Sequence, residues 1–339
     1  MRTVIIPAFG LDALRFEDRP SPVPGAGQVL VGVRAVSLNY RDLMVARGQY
    51  NPKMPLPRVP CSDCAGEVLA LGDGVMSVRV GDRVCGTFFQ DWDTGEQTDA
   101  TAKSALGGAI DGVLAEQVLL SERGVIPIPN GFSFEEAATL PCAGVTAWNA
   151  VAGWGRDFSV GGKTVLVQGT GGVSMFALQF AKALGATVLV TSGSDDKLAK
   201  ALALGAEAGV NSKQSPDWDW AAWAKFQTNG VGVDLVVEVG GAGTLDQSVK
   251  AVRPGGRIAL IGVLAGGTTF NPLPMMMKGV SLCGIYVGNR ATFAELGRFL
   301  DGSGTRPVID RVFAFDQFAE AFKHLESASH FGKVVIRMG

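Results

Sequence analysis

The chain has 339 residues, 47% hydrophobic and 18% charged, with a net charge of −2. That composition supports a sizeable core and excludes a disordered chain. The absence of any block of like charges excludes nucleic acid as the main partner, because phosphate binding needs a basic surface. No apolar run reaches the roughly 18 residues of a membrane span, and the opening M-R-T-V-I-I-P-A-F-G is broken by Pro7, unlike a signal peptide. A cytoplasmic protein with no membrane partner is expected. The five cysteines, Cys61, Cys64, Cys85, Cys142 and Cys283, are odd in number and irregularly spaced, unlike a disulfide framework.

Up to about residue 125 the chain is dense in Gly and Pro. Short β-like runs at 28–35, 65–70, 83–87 and 116–120 are separated by turn signals, which predicts a mostly β domain. Residues 90–112 have no periodicity and read as a long loop, a kind of segment that is often functional. Phe88, Phe89 and Trp92 at its start are candidates to line an apolar pocket, with core packing the other reading of the first two.

From Ser133 the texture changes. Ser133, Glu135, Glu136 and a run of alanines look like a capped helix start. Strands are expected at 164–168, 187–191, 235–238 and 257–261, with helices at 173–184, 195–204 and 244–252 between them. That alternation predicts a parallel sheet with helices on both faces, and V-L-V and L-V-V suit strands buried on both sides. A further strand is expected at 280–287. In the tail, Asp316 is read as the cap of a helix with Phe318, Phe322 and Leu325 on one face, followed by a strand at 333–337. Met275–Met277 read as adaptable packing.

Residues 165–174 read V-L-V-Q-G-T-G-G-V-S. A buried strand entering a glycine-rich turn and leaving as a helix is the shape that seats a dinucleotide pyrophosphate. Gly169, Thr170, Gly171, Gly172, Val173 and Ser174 are therefore candidate cofactor contacts, although an ordinary strand–helix turn is the plainer reading. An acid is expected about 20 residues on when the ribose carries a free 2′-OH. The second strand instead runs into T-S-G-S, with Ser192 in the acid's place and Lys197 one helical turn further. This favours NADPH over NADH. Lys197 also reads as a solvated helix lysine.

Several motifs together resemble the medium-chain dehydrogenases/reductases. They are S-L-N-Y-R-D-L-M-V-A-R-G-Q-Y (37–50), G-D-R-V (81–84), L-P-C-A-G-V-T-A-W (140–148), G-T-G-G-V-S, R-P-G-G-R (253–257) and G-K-V-V-I (332–336). They occur in the family's order across almost the whole chain, and the match looks closest to the zinc-free quinone/enone reductase branch. The resemblance implies an α/β fold: a GroES-like β-rich catalytic domain (1–130 and 290–339) plus a Rossmann doubly wound parallel-sheet domain (131–289). One departure is Ser174, where the family usually has Gly. Its hydroxyl is a candidate phosphate contact.

The same resemblance places Asn39 and Ser62 where zinc-dependent relatives have a cysteine and a histidine ligand. Only Cys142 keeps a ligand type. An amide and a hydroxyl are poor zinc ligands beside one thiolate, and no cysteine lies between Gly86 and Pro141 to build a structural zinc lobe. No metal site is therefore expected. Cys61-x-x-Cys64 precedes a strand-like run, which suits two small buried residues better than a redox pair at a helix start.

By resemblance, Asn39 lies near the nicotinamide ribose, Asp42 holds that segment, and Tyr50 is the candidate proton donor, its other reading being a structural tyrosine. Thr146, Asn211, Gly240, Gly262, Val263 and Lys333 are further implied cofactor contacts. Arg41 reads as a surface residue. Without a metal, reduction of an activated C=C demands less than polarising an alcohol. The reading is NADPH-dependent, zinc-independent reduction of a small-molecule quinone or enone. Its rivals are an alcohol dehydrogenase or carbonyl reductase and a cofactor-binding protein with little catalysis. The resemblance also implies a homodimer through the 280–287 edge strand.

Overall fold

Alternating apolar residues in Q-V-L-V-G-V-R-A-V-S-L make Gln28–Leu38 an eleven-residue strand around which the first unit is built. The computed structural model describes residues 1–154, 158–213, 219–262 and 270–339. Gln28–Leu38 pairs antiparallel with Asp63–Leu71, Gln117–Ser121 and Lys333–Arg337. The sheet runs in the order Ile309–Ala314, Lys333–Arg337, Gln28–Leu38, Asp63–Leu71, Arg83–Gly86, Val125–Pro127. Its core includes Val31, Val36, Leu43, Val68, Leu114 and Phe322.

This unit comprises residues 1–145 and 289–339. Residues 131–145, grouped with the second domain from the sequence, thus belong to the first. The reason is the helix Phe134–Ala138, capped by Ser133 Oγ accepting from the Glu136 amide at 3.1 Å, which packs on Gln28–Leu38 and Asp63–Leu71. Its Glu135 also accepts from Arg337 Nε at 2.6 Å.

Two further expectations are corrected here. The 90–112 segment contains a short helix, Asp99–Ala102, capped by Thr98, and Phe88 and Phe89 at its start are each 2% exposed and stack edge to face. These two rings are core, and Trp92 packs against Phe89 at 5.3 Å. Asp316 caps nothing: it lies in a 3-10 turn, Phe315–Gln317, and the helix Phe318–Glu326 follows. Gln317 Oε1 makes the local capping contact instead, accepting from the Ala314 amide at 3.1 Å.

The second unit, residues 146–288, is a strand–helix alternation. Its elements are β1 (Thr164–Gln168), α1 (Gly172–Ala183), β2 (Thr187–Ser192), α2 (Asp195–Ala203), β3 (Ala208–Asn211), α3 (Trp220–Gln227), β4 (Val233–Glu238), α4 (Leu245–Ala251), β5 (Val252–Leu260), α5 (Leu273–Lys278) and β6 (Ser281–Gly284). The strands are all parallel, in the order β3-β2-β1-β4-β5-β6. That is a doubly wound sheet whose strand order reverses between β1 and β4. β3 and α3 had no clear sequence pattern. The edge strand, Ser281–Gly284, is shorter than the 280–287 run, and Val287 beyond it adopts φ +58°.

Helix α4 ends against α5 through one side chain. Lys278 Nζ donates to the carbonyls of Val249, Lys250 and Val252 at 2.7, 2.9 and 2.8 Å, satisfying acceptors that a helix C-terminus leaves open. Met276 and Met277 on α5 are exposed rather than packed.

Gly262, just beyond β5, is a tight point of this unit. A Cβ there would lie 1.5 Å from the Val239 carbonyl oxygen. Gly262→Ala must therefore push apart the carboxyl ends of β4 and β5, and a loss of about 2 kcal/mol or more is expected. Thermal melting checks this, and a midpoint within about a degree of wild type would contradict the close approach.

Candidate active site

The candidate cofactor residues of the second unit come from separate stretches of chain, and the parallel sheet brings them to one edge. Gly169 follows β1, Ser192 ends β2, Asn211 ends β3, Gly240 follows β4 and Gly262 follows β5. In open α/β sheets ligands bind outside the carboxyl ends of the strands, at the switch point.

The glycine turn is built as its sequence suggests. Gly169 has φ +69°, and its amide donates to Thr191 O at 2.7 Å, tying the turn to β2. Gly171 caps α1, and a Cβ there would meet nothing within 4 Å among the described residues. The space beside it is open for an incoming group. The first amides of α1, from Gly172, Val173 and Ser174, lack intrahelical acceptors by helix geometry, and the helix dipole favours an anion there. Ser174 departs from expectation: its hydroxyl donates to Gln168 O at 2.7 Å and is 2% exposed, so it braces the turn from behind.

At the end of β2, Ser192 is 4% exposed, and its carbonyl accepts from the amide and hydroxyl of Ser212. Ser194 caps α2, accepting from the Lys197 amide at 3.4 Å. Asn211 is committed within the chain: Nδ2 donates to Asp195 Oδ1 at 2.9 Å, and Oδ1 accepts from the Lys213 amide at 3.0 Å. The sequence reading passed over Lys213, whose stem lies against Gly193, where a Cβ would be 2.8 Å from its Cδ. Thr146 is 3% exposed on the helix Val145–Ala152. Val263 lies outside the described residues.

The first unit gathers a different set. Asn39 follows the central strand, and its amide donates to Asp42 Oδ2 at 2.8 Å, across the start of the helix Tyr40–Ala46. Lys333 returns from the C-terminal strand, and its Nζ donates to Leu38 O at 2.7 Å and to Asn39 Oδ1 at 2.5 Å. Beside them Ser62 Oγ donates to Asp63 Oδ1 at 2.6 Å, and the Cys142 amide donates to Asp63 Oδ2 at 3.0 Å. The lysine expected at a cofactor is therefore 3% exposed and bonded to Asn39. Asp63, which the sequence reading also left without a role, is at the centre of the cluster.

Burial dominates the electrostatics here. It pushes Asp42 up to about 6, against the lowering influence of Arg41 and the Asn39 amide. It raises Asp63 too, opposed by Lys333 and by hydrogen bonds including that of Ser62. It also raises the thiols of Cys61, Cys64 and Cys142, with Cys64 at about 12, so the Cys61-x-x-Cys64 pair consists of inert buried thiols.

Arg41 is not a surface residue. Its side chain is 10% exposed, with the guanidinium carbon 4.5 Å from the Phe88 ring centre and 5.0 Å from that of Tyr50. Tyr50 is 36% exposed beside it.

A family profile for the alcohol dehydrogenase GroES-like domain matches residues 25–130, and one for zinc-binding dehydrogenases matches residues 172–302. A zinc-type alcohol dehydrogenase-like protein of Schizosaccharomyces pombe is 43% identical, over 97% of this chain and 96% of its own. A crystal structure from Sinorhizobium meliloti 1021 superposes with TM-score 0.90 at 41% identity, over 99% of this chain and 98% of that one. That of an NAD-dependent alcohol dehydrogenase gives TM-score 0.90 at 35% identity over 100% of both chains. Relatives at lower identity carry names as different as acryloyl-coenzyme A reductase and quinone oxidoreductase, so the names do not select a substrate.

Asp42 offers a direct check of the buried cluster. Its folded pKa of about 6 lies above the ordinary 3.8. Its stabilising contribution is therefore present below about pH 4 and is lost as pH rises through about 6. Asp42→Asn stays neutral and keeps an acceptor for the Asn39 amide. Measured by urea unfolding, its stability relative to wild type should rise across that window, by up to about 3 kcal/mol. A flat difference would contradict the burial argument.

Proposed function

We propose that this chain, which belongs to the medium-chain dehydrogenase/reductase superfamily of oxidoreductases, reduces quinones or α,β-unsaturated carbonyl compounds with NADPH and without zinc. The observation that carries this reading is the Lys333 ammonium on Asn39 Oδ1. Zn²⁺ needs three ligating side chains and an open position. At the positions compared with zinc ligands, the Asn39 oxygen already accepts from a cation and the Ser62 hydroxyl is spent on Asp63. These residues do not fit the metal.

The open space at Gly171 and the N-terminus of α1 suit a pyrophosphate. No carboxylate stands at Ser192, and Lys197 and Lys213 flank that end of β2, which supports a 2′-phosphate. When bound, the nicotinamide supplies a hydride. The chain's part is to orient that ring and the substrate and to place a proton donor. Lys333 and Asp42 hold Asn39 from two sides. Tyr50, partly exposed beside a buried guanidinium, is the candidate donor to the developing enolate or quinol oxygen.

A homodimer is part of the proposal. Among the described residues β6 pairs with β5 alone, and Leu273, Met276, Met277 and Tyr286 near it are exposed. An unpaired edge beside exposed apolar side chains is a surface that association covers. Sedimentation at micromolar protein is expected to show a dimer, and a monomer would refute it.

The names of several relatives favour alcohol dehydrogenation instead, and one experiment separates the readings. NADPH oxidation is followed with a quinone, a small enone and an aldehyde, with and without chelator. Turnover of quinone or enone untouched by chelator is expected; chelator-sensitive aldehyde reduction would transfer the chain to the other reading. NADPH binding with no turnover would leave a cofactor-binding protein. A Michaelis constant clearly lower for NADH would reverse the cofactor assignment. Tyr50→Phe should lower turnover on the order of 10²-fold while the NADPH dissociation constant barely moves; unchanged turnover removes Tyr50 from the chemistry.

A further inference from the structure

Two polar side chains lie side by side at the switch point, each directly after an apolar run, Val165–Val167 in β1 and Leu235–Val237 in β4. Gln168 is the last residue of β1 and Glu238 the last of β4; these strands are adjacent in the sheet, with Val167 opposite Val237. Gln168 is 4% exposed and Glu238 is 0% exposed. A carboxylate in such a place is costly unless its lone pairs are filled.

They are filled. Glu238 Oε1 accepts from the amides of Gly240 and Gly241 at 2.8 and 3.0 Å and from Thr244 Oγ1 at 2.5 Å. Oε2 accepts from Gln168 Nε2 at 2.7 Å and from the Ser248 hydroxyl. Gln168 Nε2 also donates to Ser248 Oγ at 2.8 Å, and its Oε1 accepts from the Val239 and Gly240 amides at 3.3 and 3.4 Å. The backbone carbonyl of the same glutamine accepts from Ser174 in the first turn of α1. One network thus reaches from the glycine turn after β1 to the turn after β4.

We infer that Glu238 and Gln168 are positioning residues that hold these two turns in the relation the dinucleotide requires. The inference rests on the dinucleotide-binding reading of this edge. The carboxylate is also an internal anion: by occupying the Gly240 and Gly241 amides, it leaves the first turn of α1 as the anion-accepting side of the crevice. Neither side chain need touch the cofactor.

The pair has an unusual property as a test. In Glu238→Gln, an amide NH₂ replaces an acceptor oxygen and faces other donors. Exchanging both residues (Gln168→Glu with Glu238→Gln) restores the complement. The amide at 238 then donates to the new carboxylate at 168 and to Ser248, whose hydroxyl turns to that carboxylate. The amides of Val239, Gly240 and Gly241 keep their acceptors.

NADPH and NADH dissociation constants are read by fluorescence titration of the full chain, with melting midpoints and turnover at saturating NADPH alongside. Glu238→Gln should weaken NADPH binding about tenfold, equivalent to one lost charge-assisted hydrogen bond, with saturated turnover within about twofold of wild type. The exchange variant should return to within about threefold of the wild-type constant. If Glu238→Gln does not fold, Thr244→Val, which removes one donor and leaves the carboxylate, carries the same readout with about threefold weakening. Unchanged binding in the folded variant, or an exchange variant as weak as the single one, overturns the inference. A wild-type chain that binds neither cofactor overturns the dinucleotide reading itself, and this inference with it.

Discussion

Two buried carboxylates, Asp42 and Asp63, constrain the whole first unit. Each is 0% exposed, and a lone charge so placed is costly. The chain meets that cost with a cation from its far end: Lys333 reaches the Asn39 side chain 294 residues away along the sequence. For that contact to form, the C-terminal strand must return to pair with Gln28–Leu38, Val334 opposite Leu38. Asn39, Ser62 and the Cys142 amide are drawn into the same cluster because each satisfies a polar atom already there.

The second unit solves a similar problem differently. Its buried carboxylate, Glu238, has no cation among the hydrogen-bond partners described for it; hydroxyls, an amide side chain and two backbone amides fill it instead. The donors described for it are neutral, so this network adds no positive charge to the carboxyl edge of the sheet.

Much of this was legible in the linear chain. Apolar runs ending in glycine turns, at helix-length spacing, located β1, α1, β2, α2, β4 and α4 to within a few residues and the second half of β5, since these patterns reflect local backbone preference and burial on both faces. The same signal contained a clue that was passed over: V-L-V-Q and L-V-V-E each end a buried strand in a polar residue. Where local rules failed, a tertiary contact decided. Arg41 reads as exposed because arginine usually is, yet Phe88 and Tyr50 enclose it. Ser174 reads as a phosphate contact, yet a carbonyl directly behind the turn takes its hydroxyl.

The sequence by itself determined the kinds of element and the glycine turn, because these depend on residue type and spacing. Only the tertiary structure decided which polar atoms meet. Lys333 with Asn39, and Gln168 with Glu238, are pairs whose members lie far apart in the chain. The balance between burying a charge and satisfying it exists only once the sheets have formed.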